Sequence, residues 1–153
     1  MRNNENNIQI KYFVVLFLFT LITLNVYSQK KLPDFSNCEK ISEHIVEDTD
    51  FTLVMVAGAG CGYSYYGLEQ LLQLDEKLNI IVVNHGTKEQ YEEFHSKYAD
   101  YFTFIDGNDC KYFKSKIFPK YYLYQNDKLI WKQKKYKKNT PEIIKQQLKR
   151  HNI

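Results

Sequence analysis

Residues 51–64 read FTLVMVAGAGCGYS, and this stretch contains the main evidence for the fold. Phe51 to Ala57 is a nearly continuous apolar run of strand length, which is typical of a strand covered on both faces. Glycines then interrupt the pattern around Cys61, and residues 64–78 have apolar side chains at helical spacing. Cys61 is therefore predicted to lie between a buried strand and the N-terminus of a helix, where backbone amides and the helix dipole stabilise a thiolate.

The rest of the chain alternates predicted helices and strands, which is typical of an α/β fold. Helical spacing of apolar side chains predicts helices at residues 36–47, 64–78, 88–98, 110–117 and from Thr140 onward. Apolar runs bounded by turn residues predict strands at residues 51–57, 79–84, 101–105, 121–125 and 128–132. The last two strands enclose Asn126-Asp127, which suits a tight antiparallel hairpin. We therefore expect a mixed central sheet with helices on both faces.

The N-terminus has the features of a secretory signal peptide. Residues 12–24 are an apolar run shorter than the roughly 20 residues that span a membrane, and Val26 and Ser28 occupy the small-residue positions before a cleavage site. A retained membrane anchor is the alternative. Cleavage after Ser28 predicts a periplasmic or secreted protein with no stable membrane association. The predicted divisions are a signal peptide at 1–28, an N-terminal segment with the first helix at 29–48, and the main domain at 49–153.

The charge of the chain gives little support for nucleic-acid binding. The formal net charge of +3 falls to +2 when residues 1–28, which include Arg2, Lys11 and Glu5, are removed. Five lysines do cluster between residues 132 and 138. Such a run is usually a solvated loop face, so we predict no nucleic-acid partner.

Three cysteines, Cys38, Cys61 and Cys110, would remain after cleavage. In an oxidising compartment an odd number leaves one thiol free or paired with another molecule. No two form a C-x-x-C, so a zinc ribbon is not supported, and we predict neither a metal site nor a cofactor. Cys38 and Cys110 are candidates for a disulfide, although each also suits a small buried position. The sequence leaves that choice open.

The order of these elements resembles the thioredoxin superfamily. A strand leads to the tetrapeptide Cys61-Gly62-Tyr63-Ser64 and a helix, and a single proline, Pro119, stands directly before the hairpin and the terminal helix. The additional helix and strand at residues 88–105, together with the signal peptide, are similar to envelope thioredoxins of the TlpA type. The resemblance implies a thioredoxin-like three-layer α/β/α fold with this helix–strand insertion before the hairpin, and a cis Phe118–Pro119 bond.

The resemblance also implies a function and a set of site residues. The implied activity is that of an extracytoplasmic thiol–disulfide oxidoreductase, in which Cys61 forms mixed disulfides with protein or small-thiol substrates. Ser64 stands where the second cysteine is expected, so that an external thiol is needed as reductant. Ser64 would instead hydrogen-bond the Cys61 thiolate. Pro119 and Phe118 would present backbone to a bound peptide, with Gly62 and Tyr63 also contacting the substrate.

Several residues depart from the thioredoxin pattern. Gly60 replaces the aromatic residue before the cysteine, and Met55 stands where a buried carboxylate relays protons. These changes leave open a redox-inactive binding module that engages a peptide or partner protein at the same surface. Residues 61–64 also resemble the C-G-F-S of monothiol glutaredoxins, but the signal peptide and the distance to Pro119 argue against that family. Gly58 stands where a peroxiredoxin has Thr or Ser, which argues against peroxidase chemistry.

Overall fold

The structure is a computed structural model that describes residues 31–151, so the predicted signal peptide lies outside the described residues. Six strands are present in this range: β1 (Lys40–Ser42), β2 (Phe51–Gly58), β3 (Asn79–His85), β4 (Thr103–Asp106), β5 (Lys120–Gln125) and β6 (Lys128–Gln133). Three helices are present as well: α1 (Gly62–Leu72), α2 (Lys88–Tyr98) and α3 (Thr140–His151). Within the described part of the chain, no helix has the length and hydropathy to span a membrane.

The strands form one mixed sheet in the order β1-β4-β3-β2-β5-β6. The strands β2, β3 and β4 are parallel, because α1 and α2 connect them as crossovers. The strands β5 and β6 form the predicted hairpin, and β5 is antiparallel to β2. Asn126 and Asp127 have the positive φ angles expected of its turn. The predicted α/β class, the mixed sheet and the helix–strand insertion, α2 with β4, are confirmed.

One face of the sheet packs against all three helices. Alternate residues of β2 (Phe51, Leu53, Met55) belong to a single buried cluster with side chains from the helices. The helix residues in this cluster are Leu68, Leu71, Phe94, Tyr98, Ile144 and Leu148. Period-two burial on the strand and apolar stripes on the helices together make this the main core.

The opposite face is covered by chain that is not helical, so two predicted helices are wrong, and so is the expected layer of helices on this face. Residues 36–47 provide the edge strand β1, and residues 110–117 are irregular, with Phe113 at a positive φ of 59°. Cys38, Cys110 and Phe113 do pack on this face from irregular backbone, but Ile45 and Ile117 are 67% and 53% exposed, so the helix-like spacing does not correspond to one buried stripe. The ring of Phe113 lies 4.9 Å from that of Tyr122 on β5 and 6.1 Å from that of Phe35.

The remaining boundaries lie within two residues of the predicted ones, except at the end of α1. Helix α1 ends at Leu72 rather than at Leu78. Leu78 is still buried, at 3% exposure, but it reaches the core from the segment that leads into β3. A helix continued to residue 78 would leave too little chain to return to the start of β3, so tertiary context shortens the helix that the local pattern predicts.

Candidate functional site

Cys61 is the N-cap residue of α1 and lies three residues after Gly58, the last residue of β2. Its backbone N–H donates to the Gly58 carbonyl at 3.0 Å, and its own carbonyl accepts from the Ser64 N–H at 2.8 Å. The side chain is half-buried, and it is the free cysteine of the chain. The first turn of α1 contains no acidic residue, so the positive end of the helix dipole at Cys61 is not neutralised from within the helix.

Ser64, one helical turn after Cys61, is completely buried. Its hydroxyl oxygen accepts a hydrogen bond from the Gly58 backbone N–H at 3.1 Å. The structure therefore directs this hydroxyl oxygen toward the end of β2, whereas the sequence suggested a bond to the Cys61 sulfur. A hydroxyl at this position satisfies a buried backbone donor and offers no sulfur for disulfide exchange.

The register between β2 and β5 brings Pro119 to the end of the sheet where Cys61 lies. Val56 pairs with Lys120, so that Pro119 and Phe118 continue alongside the last residues of β2. The Phe118–Pro119 peptide bond is cis, which confirms the prediction, and Pro119 is buried. The Phe118 ring lies against Gly58, where a Cβ atom would come within 2.5 Å of a ring carbon. Gly58 is therefore needed to accommodate this ring.

His85, at the end of β3, is a site residue that sequence reasoning missed. Its ring stacks on the Phe118 ring with centroids 5.4 Å apart, and its carbonyl accepts from the Ala59 N–H at 2.6 Å. The side chain is half-buried, and desolvation by burial lowers the pKa of His85. The parallel pairing of β2 and β3 brings the ends of these strands together and so places His85 beside the cysteine loop.

The loop before Cys61 also contacts the start of α2. Gly60 has a φ of +80°, and a Cβ atom there would lie 2.8 Å from the side-chain nitrogen of Gln90. Gln90 in turn accepts a hydrogen bond from the Thr87 N–H at 3.1 Å. The position of the usual aromatic residue is thus occupied by a glycine in a left-handed conformation beside a polar side chain.

Two tyrosines of α1 and one from the β6–α3 loop form an exposed group beside Cys61. Tyr63 and Tyr66 are each 61% exposed, and Tyr136 lies against both, with ring centroids 5.5 Å from Tyr63 and 6.2 Å from Tyr66. We call these three residues the tyrosine cluster. Tyr65 instead points inward, 4.2 Å from the Phe94 ring. Sequence reasoning missed Tyr136, because nothing local connects it to α1.

The other two cysteines are joined to each other. Cys38 and Cys110 form a disulfide with a Cα–Cα distance of 5.0 Å on the sheet face opposite the helices. Neither sulfur is therefore a free thiol in this structure, and neither is available to resolve an adduct on Cys61.

One group of acidic residues lies apart from Cys61. Oxygen atoms of Glu39, Asp106 and Asp109 come within 4.8 Å of one another. Asp106 accepts hydrogen bonds from the Tyr91 hydroxyl and from the Asn108 N–H. These bonds account for Asp106 as a turn residue, in line with its sequence context Asp-Gly-Asn.

No protein-family model and no curated protein matches the chain. Solved structures do match. A putative thiol:disulfide interchange protein DsbE from Chlorobium tepidum has a TM-score of 0.62 at 16% identity, covering 79% of this chain and 94% of that one. StoA from Bacillus subtilis has a TM-score of 0.53 at 15% identity, covering 72% of this chain and 93% of that one. The bacterioferritin comigratory protein of Xanthomonas campestris has a TM-score of 0.55 at 16% identity, covering 81% of this chain and 98% of that one. Together with the cis proline beside the cysteine-bearing helix, these likenesses establish that the chain has the thioredoxin-like fold.

Proposed function

We propose that the protein is an extracytoplasmic thiol–disulfide oxidoreductase that works through Cys61 alone. The observation that supports this most strongly is the position of the free thiol. Cys61 caps α1 and is half-buried at the same end of the sheet as the cis Phe118–Pro119 bond. The names of the similar solved structures, among them DsbE and a secreted disulfide oxidoreductase of Mycobacterium tuberculosis, support the same class of activity.

The proposed reaction has two exchange steps. The Cys61 thiolate attacks one sulfur of a substrate disulfide, a new bond forms to the Cys61 Sγ, and the other substrate sulfur leaves as a thiolate that takes a proton from water. An external thiolate then attacks the mixed disulfide and releases Cys61. An external thiol is required because Ser64 has no sulfur and Cys38 is bonded to Cys110.

Phe118 and Pro119 have a positioning role in this proposal. Proline has no N–H, so the backbone of Phe118 and Pro119 offers carbonyl groups to a peptide that lies beside it. Gly62 has open space around its Cα, and Tyr63 is exposed next to it. Both therefore suit contact with the substrate on the side of the thiol that faces solvent.

The proposal is tested by trapping adducts in the host that exports the protein. Cells that produce the tagged full chain are quenched with acid and alkylated, and the protein is examined by non-reducing electrophoresis. Mixed disulfides should be present in the wild type, absent in Cys61→Ser and retained in the double variant Cys38→Ser/Cys110→Ser. Ser64→Cys should shorten their lifetime, because it supplies an internal thiol one helical turn away.

The contrary result is equally clear. If no adduct depends on Cys61, and Ser64→Cys changes nothing, the redox proposal fails. The exposed tyrosine cluster would then favour the alternative, a binding module that engages a partner protein at the same surface.

A further inference from the structure

Acidic and basic residues are divided very unevenly along the described chain. Residues 31–110 contain fifteen acidic and five basic residues, whereas residues 111–151 contain two acidic and thirteen basic residues. The small net charge of the whole chain conceals this division, because the two parts nearly cancel. We call residues 31–110 the acidic part and residues 111–151 the basic part.

The sheet order turns this division of the sequence into a division in space. The acidic part supplies β1, β4, β3 and β2, which occupy one side of the sheet, and the basic part supplies β5, β6 and α3. Strands β2 and β5 are neighbours and form the boundary. Cys61 lies three residues after the end of β2, and so it lies near the boundary between the acidic and the basic part.

The lysines of the β6–α3 loop are held against α1 by specific contacts. Tyr136 stacks on Tyr63, two residues from Cys61, and the Gln70 side chain donates to the Lys138 carbonyl at 2.7 Å. These contacts fix the β6–α3 loop against α1. The loop presents four exposed lysines around Tyr136: Lys134, Lys135, Lys137 and Lys138.

Further lysines lie near the opposite side of the cysteine loop. Lys114 and Lys116 line a surface hollow of about 470 Å³ together with His85. The His85 ring stacks on Phe118, which packs against Gly58 three residues before Cys61. Exposed lysines therefore accompany both the tyrosine cluster and the stacked His85–Phe118 pair.

We propose that the partner of Cys61 is an acidic protein segment, bound by the tyrosine cluster and the lysines beside it. This inference rests on the proposed function. Complementary charge raises association rates by about 10- to 1,000-fold, and tyrosines provide contact area at a low cost in side-chain entropy. A protein is favoured over an anionic lipid surface because the cluster adjoins the thiol, and a lipid headgroup offers no disulfide for that thiol to attack.

The test uses the purified full chain and three synthetic peptides of equal length. Each peptide has one cysteine in a mixed disulfide with thionitrobenzoate, flanked by Asp and Glu, by Asn and Gln, or by Lys. The Cys61 thiolate attacks the peptide sulfur, the S–S bond breaks, and the coloured thionitrobenzoate anion is released. At low ionic strength (about 0.01 M), the acidic peptide should react at least about tenfold faster than the lysine peptide. The difference should shrink at about 1 M salt.

Matched variants locate the effect. The first variant replaces the four lysines of the β6–α3 loop (Lys134→Gln/Lys135→Gln/Lys137→Gln/Lys138→Gln). It should remove most of the preference for the acidic peptide. The control variant alters the same number of exposed charges in the acidic part (Lys31→Gln/Lys40→Gln/Lys77→Gln/Lys88→Gln). It should retain the preference for the acidic peptide.

Three results would overturn the inference. Equal rates for all three peptides would reject the acidic partner and leave the proposed function standing. No Cys61-dependent release from any peptide would reject both. Equal peptide rates combined with co-sedimentation on vesicles containing phosphatidylglycerol, at physiological salt, would assign the basic part to a membrane surface instead.

Discussion

The hydroxyl oxygen of Ser64 accepts a hydrogen bond from the Gly58 backbone N–H at 3.1 Å, and this bond is buried. It joins the first turn of α1 to the last residue of β2, on either side of the loop that contains Cys61. Ser64 therefore has a structural role at the position where a dithiol enzyme has its second cysteine. The same side chain therefore holds the two ends of the cysteine loop together and lacks the sulfur that could resolve an adduct on Cys61.

We expect Ser64→Ala to lower the free energy of unfolding by about 1–3 kcal/mol, because the Gly58 N–H would remain buried without a partner. Chemical denaturation measures the change. Ser96→Ala is the matched control, since Ser96 lies on a helix but is exposed, and its effect should stay within about 0.5 kcal/mol. Equal effects of the two substitutions would show that the Ser64–Gly58 bond contributes nothing.

Gly58→Ala should destabilise the protein by about 1–3 kcal/mol, because the new methyl group would overlap the Phe118 ring. Gly62→Ala is the control: no atom lies within 4 Å of a Cβ at that position, and alanine favours the helix. The double variant Gly58→Ala/Phe118→Leu should recover part of the loss, which a double-mutant cycle would detect. Strictly additive effects would contradict the contact.

The Cys38–Cys110 disulfide closes a long loop, with a sequence separation of 72 residues. Chain-entropy arguments give about 4 kcal/mol for a loop of this length. The double variant Cys38→Ser/Cys110→Ser should lose stability of that order in non-reducing denaturation, whereas Cys61→Ser should not. Finding Cys38 and Cys110 as free thiols in non-reducing peptide maps of the native protein would contradict the pairing.

His85 should make the stability of the protein sensitive to acidification. Burial lowers the pKa of His85 in the folded state, so that the unfolded chain takes up the proton more readily. The stabilising contribution is present above the unfolded pKa of about 6.5 and is lost as the pH falls below it. The wild type should therefore lose more free energy of unfolding than His85→Gln between about pH 7.5 and about pH 5.5. Parallel losses in urea denaturation would refute this role.

The strands of the sheet and the three helices on one face could be predicted from the sequence because the patterns that specify them are local. The apolar run of β2, the three- and four-residue spacing on α2 and the Asn126-Asp127 turn each specify an element without reference to the rest of the chain. Residues 36–47 and 110–117 were misassigned because some of their apolar side chains, such as Cys38 and Phe113, pack on the sheet from irregular backbone, whereas Ile45 and Ile117 are exposed. Such packing imitates helical spacing, and only the assembled sheet distinguishes the two.

The candidate site was predictable in part. Cys61 and Pro119 could be located from the order of elements, since each has a fixed place relative to a strand. The contacts of His85 with Phe118 and of Tyr136 with Tyr63 could not, because they join residues far apart in sequence. Side-chain stacking across elements has no local pattern, so it emerges only from the packed structure.

The central claim is that Cys61 is an activated nucleophile at the N-terminus of α1, and its exchange rate tests this most directly. The second-order rate constant for reaction of the purified protein with a neutral peptide disulfide is compared with that of N-acetylcysteine amide at the same pH. The account predicts a protein rate about twofold or more above that of the free thiol, absent in Cys61→Ser and unchanged in Cys38→Ser/Cys110→Ser. A Cys61 rate equal to or below that of the free thiol would contradict the account.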